Sequence, residues 1–381
     1  MDTLTNSRKI KLRNGNQMIA EGAIFAGCKF FAGYPITPAS GIYKGMIDML
    51  PSVGGLAIPA PDEISALAYC VGASMRGFKS MTATSGPGWS LMIETIQYAL
   101  ITETPVVIAL VQRLGPATGG ATQGAQGDIL FSEFCTSGGY TIPVLYPTNP
   151  RECFELTVKA FNWSEKLRTP VVLLSDKEIG MTTETVDYTG LDTLKCVARN
   201  FVNEEQVRNN NWRMYGFSEP KDISPFAAVG GTVKVTATGS AHNMDGELKK
   251  NDPETISVLK HLEEKILAYK NELIEYKYDE DPEAKTLIIS YGITALTSRE
   301  VVRRAKALGK KVSNLIIHSL FPIPEEIIRT SAEKVKRVII PEENLKGQYR
   351  NLISQYLTNK EVIGINKIGS MITPEEILEM L

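Results

Sequence analysis

Four short segments carry side chains suited to chemistry. In Gly33-Tyr34-Pro35-Ile36-Thr37-Pro38-Ala39-Ser40, prolines on either side of Thr37 fix the backbone and pre-order its hydroxyl as a donor to an anionic ligand. A rigid turn with a helix cap accounts for the same residues. Pro61-Asp62-Glu63 opens an amphipathic run, where acids complement a helix dipole; Glu63 has the further reading of a carboxyl directed at a ligand for proton transfer. Thr84-Ser85-Gly86-Pro87-Gly88-Trp89-Ser90 lies between a strand pattern and a helix pattern. Its glycines permit close backbone approach and the helix start favours an anion, yet it is neither a P-loop nor a GxGxxG fingerprint. Finally, Arg113 follows an apolar strand and leads a long Gly-rich loop to Gln126-Gly127-Asp128. An arginine so placed suits a bidentate grip on a carboxylate, or plain exposure to solvent.

Composition narrows the chemistry further. The chain has 381 residues, 41 Lys plus Arg against 43 Asp plus Glu, and a net charge of −2, which leaves no basic footprint for nucleic acid. The three histidines, His242, His261 and His318, all lie in the second half, so neither a His-based triad nor a multi-His metal site is expected before them. The five cysteines are scattered with no C-x-x-C pair, which excludes an iron–sulfur or zinc site of the usual spacing and reads as reduced thiols of a cytoplasmic protein. Val106–Val111, the longest clean apolar run, is far short of the ~20 residues that span a bilayer. The polar N-terminus lacks the apolar core of a signal peptide.

The elements that must position these loops alternate. Helical spacing over Gly15–Gly27, Ser40–Leu50 (with Ser40 as cap), Glu63–Arg76 and Ser90–Thr102 is interleaved with extended runs at Lys29–Ala32, Lys79–Ala83, Pro105–Val111, Ile142–Tyr146 and Pro170–Leu174. Asn149-Pro150-Arg151-Glu152 predicts an N-cap, a first-turn proline and a capping-box glutamate. Short apolar strands separated by helices of about a dozen residues predict a doubly wound parallel α/β sheet. Periodicity weakens from Asp176, through a stretch that includes NEEQVRNNNW, to Ala284, and a second α/β pattern begins at Lys285. The expected division is a first domain at 1–235, a connector at 236–284 and a smaller domain at 285–381.

Taken together and in order, these segments resemble the alpha subunit of 2-oxoacid:ferredoxin oxidoreductases, most closely of the 2-oxoglutarate type. The resemblance rests on GYPITP at Gly33–Pro38, the Asp62-Glu63 helix start, MTATSGPG at Met81–Gly88 and VQRLGPATG at Val111–Gly119. It continues through PVVLLSD at Pro170–Asp176, TGSAHN at Thr238–Asn243, FPIP at Phe321–Pro324 and PEENLKGQ at Pro341–Gln348. It implies a pyrimidine-binding domain of the thiamine diphosphate type followed by a domain similar to the transketolase C-terminal domain. By position, Glu63 matches the glutamate that bonds the aminopyrimidine ring and favours its imino tautomer, whose exocyclic nitrogen takes the thiazolium proton. Thr37 and Arg113 match residues that hold the substrate carboxylate, and Tyr34, Pro35, Ile36, Gly86 and Pro87 match the cofactor's surroundings.

The resemblance also implies partners. Gly127-Asp128 is followed by Ile129, so the Gly-Asp-Gly anchor for diphosphate and Mg2+ is missing, as is any cysteine cluster for electrons. A beta subunit is expected to bring both the magnesium–diphosphate end and an iron–sulfur cluster. A gamma component, fused ahead of alpha in some members but not before Gly15 here, is expected to complete the complex. Coenzyme A would be the co-substrate and ferredoxin the electron acceptor, with decarboxylation of a 2-oxoacid or the reverse carboxylation as the reaction. Where 2-oxoglutarate enzymes read PTxxEQxDL, this chain has ATQGAQGDI at Ala121–Ile129, with Ala125 in place of the glutamate. Pyruvate, branched-chain and aryl 2-oxoacids therefore stand beside 2-oxoglutarate. A carboligating relative without electron transfer and a non-catalytic assembly subunit are the competing readings; retention of Glu63, Thr37 and Arg113 together argues against the latter.

Overall fold

The computed structural model describes residues 9–208 and 212–381; the N-terminal residues 1–8 and positions 209–211 of the NEEQVRNNNW stretch lie outside it. The first sheet has seven strands in the order Ser319–Phe321, Val144–Leu145, Pro170–Asp176, Val106–Gln112, Ser80–Thr84, Phe30–Gly33 and Leu56–Pro59. All neighbours are parallel except the Ser319–Phe321 edge. Val106–Gln112 and Pro170–Asp176 are buried along their whole lengths, as expected of central strands covered on both faces. Helices Gly15–Phe25, Ser40–Met49 and Pro150–Leu167 pack together on one face, and Glu63–Met75 and Gly86–Ile101 on the other. The chain leaves strand Phe30–Gly33 toward Leu56–Pro59 and returns past it to Ser80–Thr84. That reversal is the topological switch point, where ligands meet the carboxyl ends of the strands.

The second sheet runs Glu361–Asn366, Arg337–Glu342, Thr286–Ser290, Val312–Ile317 and Tyr276–Asp279, parallel but for the last strand. Period-2 alternation splits its core. Leu287 and Ile289 join the main hydrophobic cluster shared with the first sheet, while Ile288 packs with Val301, Val302 and Ala305 under helix Thr294–Ala307. Two segments cross between the units: Tyr276–Asp279, inside the expected connector, pairs with the second sheet, and Ser319–Phe321 pairs with the first. Connector helix Pro253–Ala268 packs against Gly86–Ile101 and inserts Lys265 onto Glu103 at 2.9 Å, both buried.

Three local expectations are corrected. Ser40 is not a cap, because Ala39 holds that position without a side-chain bond. The helix expected from Ser90 starts at Gly86, so Gly86-Pro87-Gly88 is its first turn and not a loop; proline there removes no helical hydrogen bond. Asn149 does accept from the Glu152 amide, but the Glu152 carboxylate turns to the Thr148 amide and hydroxyl at 2.9 and 2.6 Å. No helix among the described residues is long and apolar enough to cross a membrane.

Candidate active site at the sheet's carboxyl edge

All four chemistry-bearing segments end up at the carboxyl edge of the first sheet. Asp62 and Glu63 divide the work their position allows. Asp62 caps the helix by accepting from the Ser65 amide at 2.7 Å, which holds its carboxyl below the usual range. Glu63 is freed from that role and is only 7% exposed. Its side chain lies over the first turn of helix Gly86–Ile101: a Cβ on Gly88 would meet Glu63 Cγ at 2.5 Å, Glu63 Oε1 at 2.7 Å, and the Thr84 hydroxyl closer still. Gly88 therefore serves the close approach of a carboxylate from its own chain. No hydrogen bond to the Glu63 carboxylate is found among the described residues.

The Thr37 loop is held from behind. Buried Asn16 donates to the Pro38 carbonyl at 2.8 Å, and Gly41 and Gly180 leave it space; the Thr37–Pro38 peptide is cis. In front, Arg113 Nη1 donates to the Thr37 carbonyl at 2.6 Å, so the arginine and the threonine-bearing loop are one unit. Arg113 is 8% exposed, and its Nε is buried without a partner. Tyr34 stands at the same edge, 40% exposed, beside an exposed Pro35.

Asp128 closes the far end of the Arg113 loop. Gln112 Oε1 accepts from its amide at 2.8 Å, and Gln112 Nε2 donates to the Tyr146 hydroxyl at 2.8 Å. The Asp128 carboxylate rests against Gly86, 3.2 Å from where a Cβ would stand, and its Oδ2 is buried without a hydrogen bond. Burial raises this carboxyl to about 6 against the opposing pull of Arg113. Glu63 and Asp128 thus each lie against one glycine of the same turn, Gly88 and Gly86.

The second domain pins this loop in place. Gln126 is fully buried. It donates to the Tyr291 carbonyl at 3.0 Å, accepts from the Glu343 amide at 3.0 Å, and its own amide donates to the Glu343 carbonyl at 2.8 Å. Asn344 donates to the Gln126 carbonyl at 3.0 Å, while Gln348 spans Gly127 and Leu130. Glu342 anchors the clamp, accepting from Tyr291, Asn344 and the amides of Tyr349 and Arg350. Much of Pro341–Gln348 is therefore a splint for the loop between Arg113 and Leu130. The motif was visible in the sequence, but its task was not.

A thiamine-type cofactor fits what is present at one end. Glu63 offers a partnerless carboxylate to a ring nitrogen, and Ser85 Oγ and Arg113 Nε are buried polar atoms still unpaired. Tyr34, Pro35 and Ile36 lie on the loop after Phe30–Gly33, and Gly86 and Pro87 in the first turn of helix Gly86–Ile101, both at that edge.

The switch-point sheet with its smaller α/β partner defines the pyrimidine-binding class of thiamine diphosphate domain. Residues 21–266 match the family model described as pyruvate flavodoxin/ferredoxin oxidoreductase, thiamine diphosphate-binding, and residues 284–377 match pyruvate:ferredoxin oxidoreductase core domain II. The chain belongs to the 2-oxoacid:ferredoxin oxidoreductase family. It is 35% identical over 370 residues to the 2-oxoglutarate synthase subunit KorA of Methanocaldococcus jannaschii, covering 97% of this chain and 98% of that one. With the same subunit of Methanothermobacter thermautotrophicus the identity is 37% over 370 residues and 96% of both chains. The solved 2-oxoglutarate:ferredoxin oxidoreductase from Magnetococcus marinus, with 2-oxoglutarate, coenzyme A and succinyl-CoA bound, matches at 31% identity and a TM-score of 0.92 over 98% of this chain. This chain spans 65% of that one. A split-gene transketolase at 13% identity and a TM-score of 0.53 shares the fold.

Proposed function

We propose that this chain is the alpha subunit of a thiamine diphosphate-dependent 2-oxoacid:ferredoxin oxidoreductase, with 2-oxoglutarate as substrate. In this reading it works with a beta subunit carrying Mg2+ and an iron–sulfur cluster, with a gamma component, and in the cytoplasm. Coenzyme A takes the acyl group and ferredoxin the electrons. The observation that carries the reading is the convergence of Glu63, Thr37 and Arg113 at one switch-point edge, linked through Gly88, Gly86 and Asp128.

When bound, thiamine diphosphate supplies the carbon nucleophile for a 2-oxo carbon. Glu63 would hold the aminopyrimidine ring nitrogen through a shared proton, and its burial shields the carboxyl from water. Arg113 orients the substrate carboxylate by a charge-assisted bond. The Thr37 hydroxyl adds a neutral donor on a loop that Asn16 and Arg113 hold from both sides. The relatives named above, 2-oxoglutarate synthase subunits and a 2-oxoglutarate:ferredoxin oxidoreductase, favour 2-oxoglutarate.

The test is co-purification with native partners, followed by a panel of 2-oxoacids with coenzyme A and a viologen acceptor. Reduction strongest with 2-oxoglutarate is expected. Preference for pyruvate, a branched-chain or an aryl 2-oxoacid would move the substrate assignment alone. No 2-oxoacid-dependent reduction in an intact complex would overturn the whole reading.

A further inference from the structure

The mechanism above leaves one carboxylate at the site without a task. Asp128 comes within reach of the turn that carries Gly86, with Oδ2 buried and accepting no hydrogen bond. Its backbone is held in place: Gln112 accepts from its amide, its carbonyl accepts from the Ser132 amide and hydroxyl, and Gln348 donates to the neighbouring Gly127 carbonyl. The charged group whose field reaches it is Arg113, at the end of the adjoining strand; Glu63 lies against Gly88, two residues further along the same turn. Gln112 and Gln348 carry no charge. Arg113 meanwhile keeps Nε unpaired and spends Nη1 on the Thr37 carbonyl.

An incoming 2-oxoacid carboxylate that seeks Arg113 must settle near an ionised Asp128. Two carboxylates so close in a water-poor edge cannot both stay charged without a large electrostatic cost. We propose that Asp128 takes up a proton from solvent as the substrate carboxylate settles against Arg113, and then donates a hydrogen bond to that carboxylate. Substrate binding is thereby coupled to protonation, and Asp128 acts beside Arg113 as a second binding residue. The inference rests on the assignment of Arg113 to the substrate carboxylate. Arg113 and the N-terminus of helix Gly86–Ile101 favour the anion of Asp128 while burial opposes it, and the balance near 6 leaves it mostly ionised at neutral pH before substrate arrives.

The experiment measures KM for 2-oxoglutarate from pH 6 to 9 in the assembled complex, for wild type, Asp128→Asn and Arg113→Ala. Wild-type KM is expected to rise by up to about tenfold per pH unit above pH 7, and the Asp128→Asn profile to be flat, because the amide donates at every pH. If Asp128→Asn keeps the wild-type slope, or raises KM equally at every pH, the proposal fails. If Arg113→Ala leaves KM unchanged, the assignment of Arg113 fails instead, so the two failures are distinguishable. Should Asp128→Asn not assemble, calorimetry of 2-oxoglutarate binding to the wild-type complex at pH 7, in two buffers of different ionisation enthalpy, decides alone. Uptake of about one proton supports the coupling, and zero uptake overturns it.

Discussion

Glu63 and Gly88 are packed so closely that the glutamate's position exists only because the glycine has no side chain. A Cβ at residue 88 would stand 2.5 Å from Glu63 Cγ and collide with the Thr84 hydroxyl. The two residues come from the starts of different helices, Glu63–Met75 and Gly86–Ile101, which pack side by side on one face of the sheet. Helix packing thus fixes a carboxylate, and Asp62 makes this feasible by taking over the capping bond.

Glu63→Gln keeps the shape and removes the acid. In the assembled complex, 2-oxoacid-dependent viologen reduction is expected to fall by ~100-fold or more, the scale of a lost proton-transfer group, with assembly intact by gel filtration. Undiminished turnover would remove Glu63 from the chemistry.

Gly88→Ala tests the packing itself. The new methyl displaces Glu63 and strains the Ser80–Thr84 strand end, at an expected cost of about 1–3 kcal/mol in denaturant unfolding. Activity is expected to fall further than stability alone accounts for, because the displaced carboxylate no longer meets its partner. Gly86→Ala has more room, with only the Asp128 carboxylate at 3.2 Å, and is expected to cost less in unfolding.

How much of this was legible in the sequence follows from which contacts are local. Val106–Gln112 and Pro170–Asp176 announced themselves because strands covered on both faces read as unbroken apolar runs. Leu56–Pro59 and Tyr276–Asp279 did not, being edge strands with mixed exposure and little alternation to read. The helix start at Gly86 was hidden because Gly-Pro-Gly has poor helix propensity. Proline costs nothing in a first turn, and Gly88 is demanded by Glu63, which only the folded chain brings near. Thr37 and Arg113 stood out as candidates by lying just beyond extended runs, and Glu63 by standing at the start of an amphipathic helix. The bond from the Glu343 amide to Gln126 joins positions 217 residues apart, and no local pattern signals it.

Arg113→Lys is expected to behave as a loss and not as a conservative change. A lysine ammonium cannot keep the Nη1 bond to the Thr37 carbonyl while presenting a flat pair of donors to a carboxylate. KM for the 2-oxoacid is expected to rise by ~10-fold or more, the range of one charge-assisted hydrogen bond. Steady-state kinetics at fixed coenzyme A and viologen measure it, and an unchanged KM would exclude Arg113 from the substrate contact.

Gln126→Ala probes the splint. It leaves the Tyr291 carbonyl and the Glu343 amide buried without these partners and opens a space at the domain contact, an expected loss on the order of 3 kcal/mol in denaturant unfolding. KM is expected to rise as well, since the loop from Arg113 to Asp128 loses its anchor. A change in stability with KM untouched would show that the clamp serves folding alone.

The same contact sets how stability depends on pH. Burial pushes the Glu343 carboxyl up to about 8, with Asp176 and Glu178 adding like charge, and burial pushes Asp176 to about 7. Unfolded carboxyls titrate near 4, so between about 4 and about 8 these two positions bind more protons in the folded chain than in the unfolded one. The stability gained from holding these groups neutral is full below the unfolded values and is lost as pH rises through the folded ones. Melting temperature is therefore expected to fall from pH 6 to pH 8.5 and then to level off as far as these two groups decide it. Glu343→Gln keeps an oxygen for the Ile372 amide, which donates to Glu343 at 3.1 Å, and removes the titration. Its melting temperature is expected to be higher than wild type at pH 8.5 and to fall less over the same range. A variant whose pH profile parallels wild type throughout would show that Glu343 is not the group responsible.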